Sequence, residues 1–416
     1  MTTALPFAVA PVTGGLVVPG SKSETNRALL LAALGDGPSR VTGALDSRDS
    51  RLMIDALRAL GVSVVPDGPA LVVTPPPRFT GADRIDCGLA GTVMRFVPPL
   101  AALADGASTF VGDPHASERP MGPLLDGLRQ LGADVDGDSL PFRVDPPETL
   151  GDRAEIDASG SSQFVSGLLL IAPRLPHGLT LRHSGELLPS LPHIAMTVAM
   201  LRARGAIVET PDERTWVVAP GGLRALDSTV EPDLTNASVF LAAAAVTGGR
   251  VAVPGWPAQS LQPGALFLDV ISAMGATVER HEGEVAVVGS TPLRGIDVDL
   301  TAASELTPVV AALGALATGR TTIRGVAHIR GHETDRLAAL TRELRRAGID
   351  AEETPDGLTI LGGTPQAAAF EASADHRMVH FAALLALVAD GSTIDDMACV
   401  GKTMPDFPVV WAGLVT

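Results

Sequence analysis

Apolar and polar positions along this chain fall into two helical registers that recur in alternation. One register is amphipathic: Met53–Leu60, Leu124–Leu131, Thr197–Arg204, Phe267–Met274 and Leu340–Ala347 each carry an apolar stripe and stop just before Gly61, Gly132, Gly205, Gly275 and Gly348. Successive glycines of this set lie 71, 73, 70 and 73 residues apart, and a fixed period of that size predicts repeated supersecondary units. Each glycine is expected in the left-handed turn that ends a helix, and the alternations that follow, such as Val62–Val65 and Ala276–Glu279, predict short strands. The second register is more apolar all round and opens each unit about thirty residues earlier: Arg27–Leu34, Gly91–Leu103, Gln163–Ala172, Asn236–Val246, Leu306–Ala317 and Arg377–Val388. The sixth unit has a degenerate close around Val409–Leu414. The pattern predicts an α/β fold of six units, three to a domain, with the seam near Asp227 in the Pro- and Gly-containing stretch Pro211–Glu231. Two similar halves imply a hinge and a cleft, with ligands at the junction.

Composition narrows the class. A chain of 416 residues exceeds a single hydrophobic core, so two domains are the default. The net charge of −16 argues against a nucleic-acid or anionic-membrane surface, and any anionic ligand must be drawn in by a local cluster of Lys and Arg. Cys87 and Cys399, 312 positions apart, have no CxxC partner, which points to buried, inert thiols in a reducing compartment. The opening MTTALPFAVAPVTGG lacks a basic n-region and carries Pro6 and Pro11, a poor secretory signal. Apolar stretches such as Val379–Ala389 fall short of the ~18 residues that span a bilayer, and a cytoplasmic protein is expected. No G-x-S-x-G elbow, P-loop or dinucleotide fingerprint occurs.

The candidate chemistry gathers at the unit openings. In PGSKSETNR, Pro19 and Gly20 break the strand-like Leu16–Val18, Ser21 or Ser23 is placed to cap a helix, Lys22 lies on its first turn and Arg27 one turn on. Free backbone N–H groups beside two cations suit a phosphate or carboxylate. Unit two opens with Gly91, which permits close backbone approach, and Thr92, a candidate cap; Arg119 follows in Glu118-Arg119-Pro120. Unit three opens with the hydroxyl-rich turn Ser159-Gly160-Ser161-Ser162-Gln163, and Ser190 adds a hydroxyl near its second helix. Glu305 starts an otherwise apolar helix, where a carboxylate is either a favourable N-terminal charge or a general base. His328, Arg330, His332, Glu333, Asp335 and Arg336 crowd into nine positions. His328 and His332 are four apart, but the segment lacks HExxH and a nearby third ligand, so no metal is expected. Arg377 opens the sixth helix and Lys402 stands in the final loop. Taken singly, each residue also reads as a cap or a surface ion pair. Taken together, six cations and two carboxylates suit the clamping of two anions with proton transfer.

The ordered set PGSKSETNRALLLAAL, GLAGTVMRF, ERPMGPLLDGLRQLGA, SGSSQFVSGLLL, EPDLTNASVFLAAAA, HETDRLAALTRELRRAG, DHRM and GKTMPDF resembles the 5-enolpyruvylshikimate-3-phosphate synthase family of enolpyruvyl transferases over essentially all six units. The resemblance implies a two-domain inverse α/β barrel of six βαβαββ units, with residues 15–227 in one domain and residues 1–14 plus 228–416 in the other. It implies transfer of the enolpyruvyl group of phosphoenolpyruvate to the 5-hydroxyl of shikimate 3-phosphate, without cofactor or metal, by a monomer. Carried over by position, Lys22, Ser23, Arg27, Ser161, Ser162, Gln163 and Ser190 would hold shikimate 3-phosphate, together with Glu305, His328 and His332. Lys22, Gly91, Arg119, Gln163, Arg336, Arg377 and Lys402 would hold phosphoenolpyruvate. Lys22, Glu305, Glu333 and Lys402 would be catalytic, with Glu305 taking the hydroxyl proton.

Four positions depart from the common family pattern. Glu305 stands where many members carry Asp, His328 and His332 where many carry Asn and Lys, and Leu89 where GNAGT has Asn. Gly91 leaves room at a close-approach position and suggests sensitivity to the phosphonate inhibitor glyphosate. The alternatives are an enolpyruvyl transferase acting on UDP-N-acetylglucosamine, which uses a different opening motif and typically a loop cysteine, and a non-catalytic sugar-phosphate binding protein. The latter would not need Glu305, Glu333 and Lys402 beside the cations.

Overall fold

The computed structural model describes residues 2–289 and 292–416. Internal contacts divide the chain into two units, Gly20–Val230 and Met1–Pro19 with Glu231–Thr416, and each buries its own apolar core.

In the unit Gly20–Val230, three four-stranded sheets share one topology. In the second of them Ile85–Asp86 pairs parallel with Ser108–Val111, which pairs antiparallel with Phe142–Asp145, itself antiparallel to Asp134–Asp136. Helices Gly91–Ala101 and Gly122–Gln130 fill the intervals, which gives β-α-β-α-β-β along the chain. The third sheet repeats this with Arg153–Ile156, Leu179–His183, Thr215–Val218 and Val208–Asp212. The first takes its parallel edge from the far end of the unit, where Ser228–Thr229 pairs with Val41 and Thr42.

The other unit follows the same order. Thr13–Gly15 supplies the parallel edge beside Arg250–Pro254, and Asp297–Asp299 does so beside Arg320–Arg324. The remaining sheet has three strands, closed by Thr3–Ala4 against Thr393–Ile394. The start of the chain is thereby woven into the C-terminal unit.

The two helical registers have different fates. The more apolar helices, Lys22–Ala33, Gly91–Ala101 and Ser162–Ile171 in one unit and Leu234–Thr247, Thr307–Leu316 and His376–Ala386 in the other, pack on one another inside their own unit. All eleven residues of Gly91–Ala101 are buried, as an all-round apolar helix requires. The amphipathic helices keep one polar face outward and end at Gly61, Gly132, Gly205, Gly275 and Gly348, all at positive φ. Helices inside and small mixed sheets around them make an inverse α/β barrel. At Gly167 the inner helices come so close that an added Cβ would lie 2.2 Å from the Arg95 carbonyl oxygen, so the crossing of Ser162–Ile171 on Gly91–Ala101 requires glycine.

Two local expectations change. Leu16–Val18 is not a strand: the ladder ends where the Leu16 N–H donates to the Ala252 carbonyl at 3.1 Å, and Val17 is exposed. Thr92 does not cap its helix, because Ala90 is the N-cap and the Thr92 hydroxyl instead accepts from Asn26 Nδ2 at 2.5 Å.

Candidate functional site

In the unit Gly20–Val230 the inner helices are tied together at their N-terminal turns. Ser21 caps the first helix and accepts from the Glu24 N–H, which places Lys22 at the first helical position. The Lys22 ammonium lies 3.3 Å from the Asp49 carboxylate, itself almost fully buried. Asn26 reaches Thr92 at the second helix, and Arg95 donates to Gln163 Oε1 of the third at 3.1 Å. Arg27 closes the ring: its Nε donates to Thr197 Oγ1 at 2.8 Å, one Nη to the Ser23 carbonyl and the other to Ser166 Oγ and the His193 carbonyl. Its guanidinium also stands 5.0 Å from the Phe96 ring. Convergent helix N-termini and fixed cations favour negative charge.

The remaining expected residues of this unit fall around the ring. A Cβ on Gly91 would lie 2.9 Å from Arg95 Nη1 and 3.0 Å from Arg119 Nη2, so glycine lets two guanidinium groups close on the backbone there. Arg119 is buried rather than a surface partner of Glu118, and donates to the Leu89 carbonyl at 3.0 Å. The position of Leu89 therefore contributes its backbone. Ser161 caps the third helix, Ser162 begins it, and Gln163 follows. Ser190 is buried with φ 53°, a left-handed conformation uncommon for serine, at the entry of helix Leu191–Ala203.

The second cluster lies in the C-terminal unit. Asp375 caps helix His376–Ala386 through the Arg377 N–H and accepts Arg336 Nε at 2.6 Å and Nη2 at 3.2 Å. Arg336 Nη2 also donates to Glu333 Oε2 at 2.8 Å, and Glu333 Oε1 accepts Lys402 Nζ at 2.5 Å. Glu333 is thus held between two cations, all three side chains nearly buried. Burial opposes the Arg336 charge, yet Asp375 and Glu333 outweigh it and hold that guanidinium above its ordinary pKa. Arg377 is pulled below its ordinary value by burial and then by the neighbouring Arg336, while Glu305, Asp233 and Asp375 act in the opposite sense.

The two histidines are neutral members of this cluster. Arg336 Nη1 stands 2.9 Å from His332 Nδ1, and since arginine can only donate, Nδ1 is the acceptor and the ring proton sits on Nε2. Burial, then Arg336, holds His332 well below its ordinary pKa. His328 is lowered by burial, its Nε2 is 2.9 Å from Ser304 Oγ, and the two rings meet edge to face. Glu305, in the turn Ser304–Leu306 ahead of helix Thr307–Leu316, acts electrostatically on His328, His332, Arg336 and Arg377. Among the described residues no group of three or more His, Cys, Asp or Glu is arranged to hold a metal ion.

Sequence reasoning overlooked several residues of these clusters. Asn26, Arg95 and Asp375 stand inside the motifs quoted above, and a polar residue in an otherwise apolar helix was the available signal for Arg95. Ser166, in SGSSQFVSGLLL, carries the same signal as Arg95, whereas Asp49 and Thr197 carry none. The thiols are free: burial pushes Cys87 up to about 12, whereas Cys399, also raised by burial, is only partly buried, contrary to expectation.

Comparison with known proteins follows the same lines. The family pattern for EPSP synthase (3-phosphoshikimate 1-carboxyvinyltransferase) matches residues 7–411. The chain is 51% identical over 417 aligned positions to a 3-phosphoshikimate 1-carboxyvinyltransferase of Mycobacterium ulcerans (strain Agy99), covering 99% of this chain and 97% of the relative. Its fold superposes on an EPSP synthase from Acinetobacter baumannii with a TM-score of 0.80 and 25% identity, over 99% of this chain and 97% of that one. The enolpyruvyl transferase NikO from Streptomyces tendae, at 20% identity and a TM-score of 0.76 over 99% and 97% of the two chains, shares the fold.

Proposed function

This chain belongs to the EPSP synthase family, and on that premise we propose how its residues carry the reaction. The enzyme transfers the enolpyruvyl group of phosphoenolpyruvate to the 5-hydroxyl of shikimate 3-phosphate and releases phosphate, a step of the shikimate pathway to chorismate and the aromatic amino acids. The observation that supports the residue roles best is Glu333 held between Arg336 and Lys402, a carboxylate and an ammonium in hydrogen-bond contact beside an anion-binding guanidinium.

In our reading Lys22, Ser23 and Arg27 hold shikimate 3-phosphate with the hydroxyls and amide of Ser161, Ser162, Gln163 and Ser190, while Glu305, His328 and His332 face its ring. Neutral histidines suit hydroxyl groups, since they exchange hydrogen bonds without adding charge. Phosphoenolpyruvate is held by Lys22, Arg119, Gln163, Arg336, Arg377 and Lys402, with Gly91 leaving space for the guanidinium groups. Lys402 and Glu333 deliver a proton to the methylene carbon, C2 becomes electron-poor, and the 5-hydroxyl oxygen bonds to it as Glu305 takes the hydroxyl proton. The adduct then breaks its C2–O bond to phosphate and returns a methyl proton to the Glu333–Lys402 pair, regenerating the vinyl group. The arginines stabilise charge as it moves from carboxyvinyl phosphate to free phosphate. We take the enzyme to act as a monomer, and two free cysteines support a cytoplasmic setting. No helix among the described residues is long and apolar enough to cross a membrane.

Steady-state phosphate release tests the reading. Release that requires both phosphoenolpyruvate and shikimate 3-phosphate is expected, and release with UDP-N-acetylglucosamine alone as acceptor would replace this reading with the cell-wall alternative.

A further inference from the structure

Glu343 is a fully buried carboxylate that the reaction above does not use. It lies on helix Arg336–Arg346, two turns beyond Arg336 and so on the same helix face, and meets the segment that follows strand Ala369–Phe370. Its Oε2 accepts the backbone N–H of Glu371 at 3.1 Å and stands 3.4 Å from Arg346 Nε, and its Oε1 accepts Arg342 Nε at 2.9 Å. Both arginines reach on into the same segment. Arg346 donates to the Ala369 carbonyl and to the Glu371 carboxylate, and Arg342 to Ser373 Oγ.

What this clamp holds is strained. Ser373 and Ala374 are consecutive non-glycine residues in the left-handed region, at φ 51° and 56°. Such residues persist only where surroundings over-determine them, and they concentrate where geometry matters for function. The next residue is Asp375, whose carboxylate pairs with Arg336 and caps the helix that begins at His376 and carries Arg377.

We propose that Glu343 and the strained turn Ser373–Ala374 form a positioning device that fixes Asp375, and through it the guanidinium of Arg336 and the helix start bearing Arg377, for phosphoenolpyruvate. Glu343 touches no substrate; it acts by locking the turn onto the helix of Arg336. The proposal rests on the assignment of Arg336 and Arg377 to phosphoenolpyruvate.

The test compares the full wild-type chain with Glu343→Gln and Ala374→Gly. Amide hydrogen exchange reads the turn directly: in Glu343→Gln, exchange over residues 371–377 rises at least about tenfold while residues 20–230 keep wild-type rates. Kinetics read the consequence: KM for phosphoenolpyruvate rises about tenfold, with kcat and KM for shikimate 3-phosphate within about twofold of wild type. Ala374→Gly relieves the strain without touching the buried carboxylate; it keeps Tm within about 2 °C and still raises KM for phosphoenolpyruvate, which a merely structural role does not produce. Wild-type exchange at 371–377 in both variants overturns the proposal, as does faster exchange with both KM values unchanged or raised together. If Glu343→Gln does not fold, a folded Ala374→Gly with wild-type exchange and KM overturns it. A wild-type chain inactive with both substrates overturns the enolpyruvyl-transfer reading instead, and exchange still decides whether Glu343 sets the turn.

Discussion

Arg27 and Arg336 are both buried, yet they are held differently. Arg27 donates to hydroxyl and carbonyl oxygens, whereas Arg336 donates to the carboxylates of Asp375 and Glu333. Lys22 lies between these cases, fixed by the buried Asp49 and presented by a helix start. Lys22→Met is expected to keep the fold, with a Tm loss below about 5 °C, and to lower kcat/KM by more than about 10³-fold, roughly 4 kcal/mol of transition-state stabilisation. Retained turnover in the purified variant would remove Lys22 from the site. At this scale the sequence revealed the cations, because Lys or Arg at a unit opening is a local signal. Their partners were not legible: Asp375 is 39 positions from Arg336 and Thr197 is 170 from Arg27, separations that only the fold closes.

The helix is the element that turns composition into geometry. An all-round apolar helix must be surrounded, and caps such as Ser21, Ser161 and Asp375 set the starts of three of these helices beside the charged residues. The period and both helix registers were readable because glycine is the favoured residue at the left-handed stops, and all five stops have positive φ. Leu16–Val18 and Thr92 were misread because apolarity and hydroxyl content are shared by strands, loops and caps, and pairing partners decide among them. Gly167 shows how tight the packing is. Gly167→Ala sets a methyl group against the Arg95 carbonyl and is expected to cost about 1–3 kcal/mol, read as a lower Tm, with weakened phosphoenolpyruvate binding as helix Gly91–Ala101 shifts. A Tm equal to wild type would mean that the helices part without cost.

For the whole molecule, charge and burial pull in opposite directions. A chain of net charge −16 builds its cationic clusters from residues whose partners neutralise or orient them. His183, His328, His332 and His380 all sit below their ordinary pKa, with burial the leading cause, and His380 is lowered to about 3. Among the described residues neither ring nitrogen of His380 has a hydrogen-bond partner, and its ring packs 4.6 Å from that of Phe407. The unfolded chain binds a proton at this residue below about pH 6.5 and the folded chain does not, so its stability contribution is complete above that pH and is lost toward pH 3. At pH 5 the loss from His380 amounts to about 2 kcal/mol. His380→Phe is therefore expected to raise Tm more at pH 5 than at pH 8, by scanning calorimetry, and an equal shift at both would show that His380 is protonated in the fold. The most direct measurement is phosphorus NMR of the wild-type enzyme with phosphoenolpyruvate, in the presence and absence of shikimate 3-phosphate. Conversion of the phosphoenolpyruvate signal to inorganic phosphate only when shikimate 3-phosphate is present, with its own phosphate retained, is the predicted result; no conversion, or equal conversion without the acceptor, would contradict it.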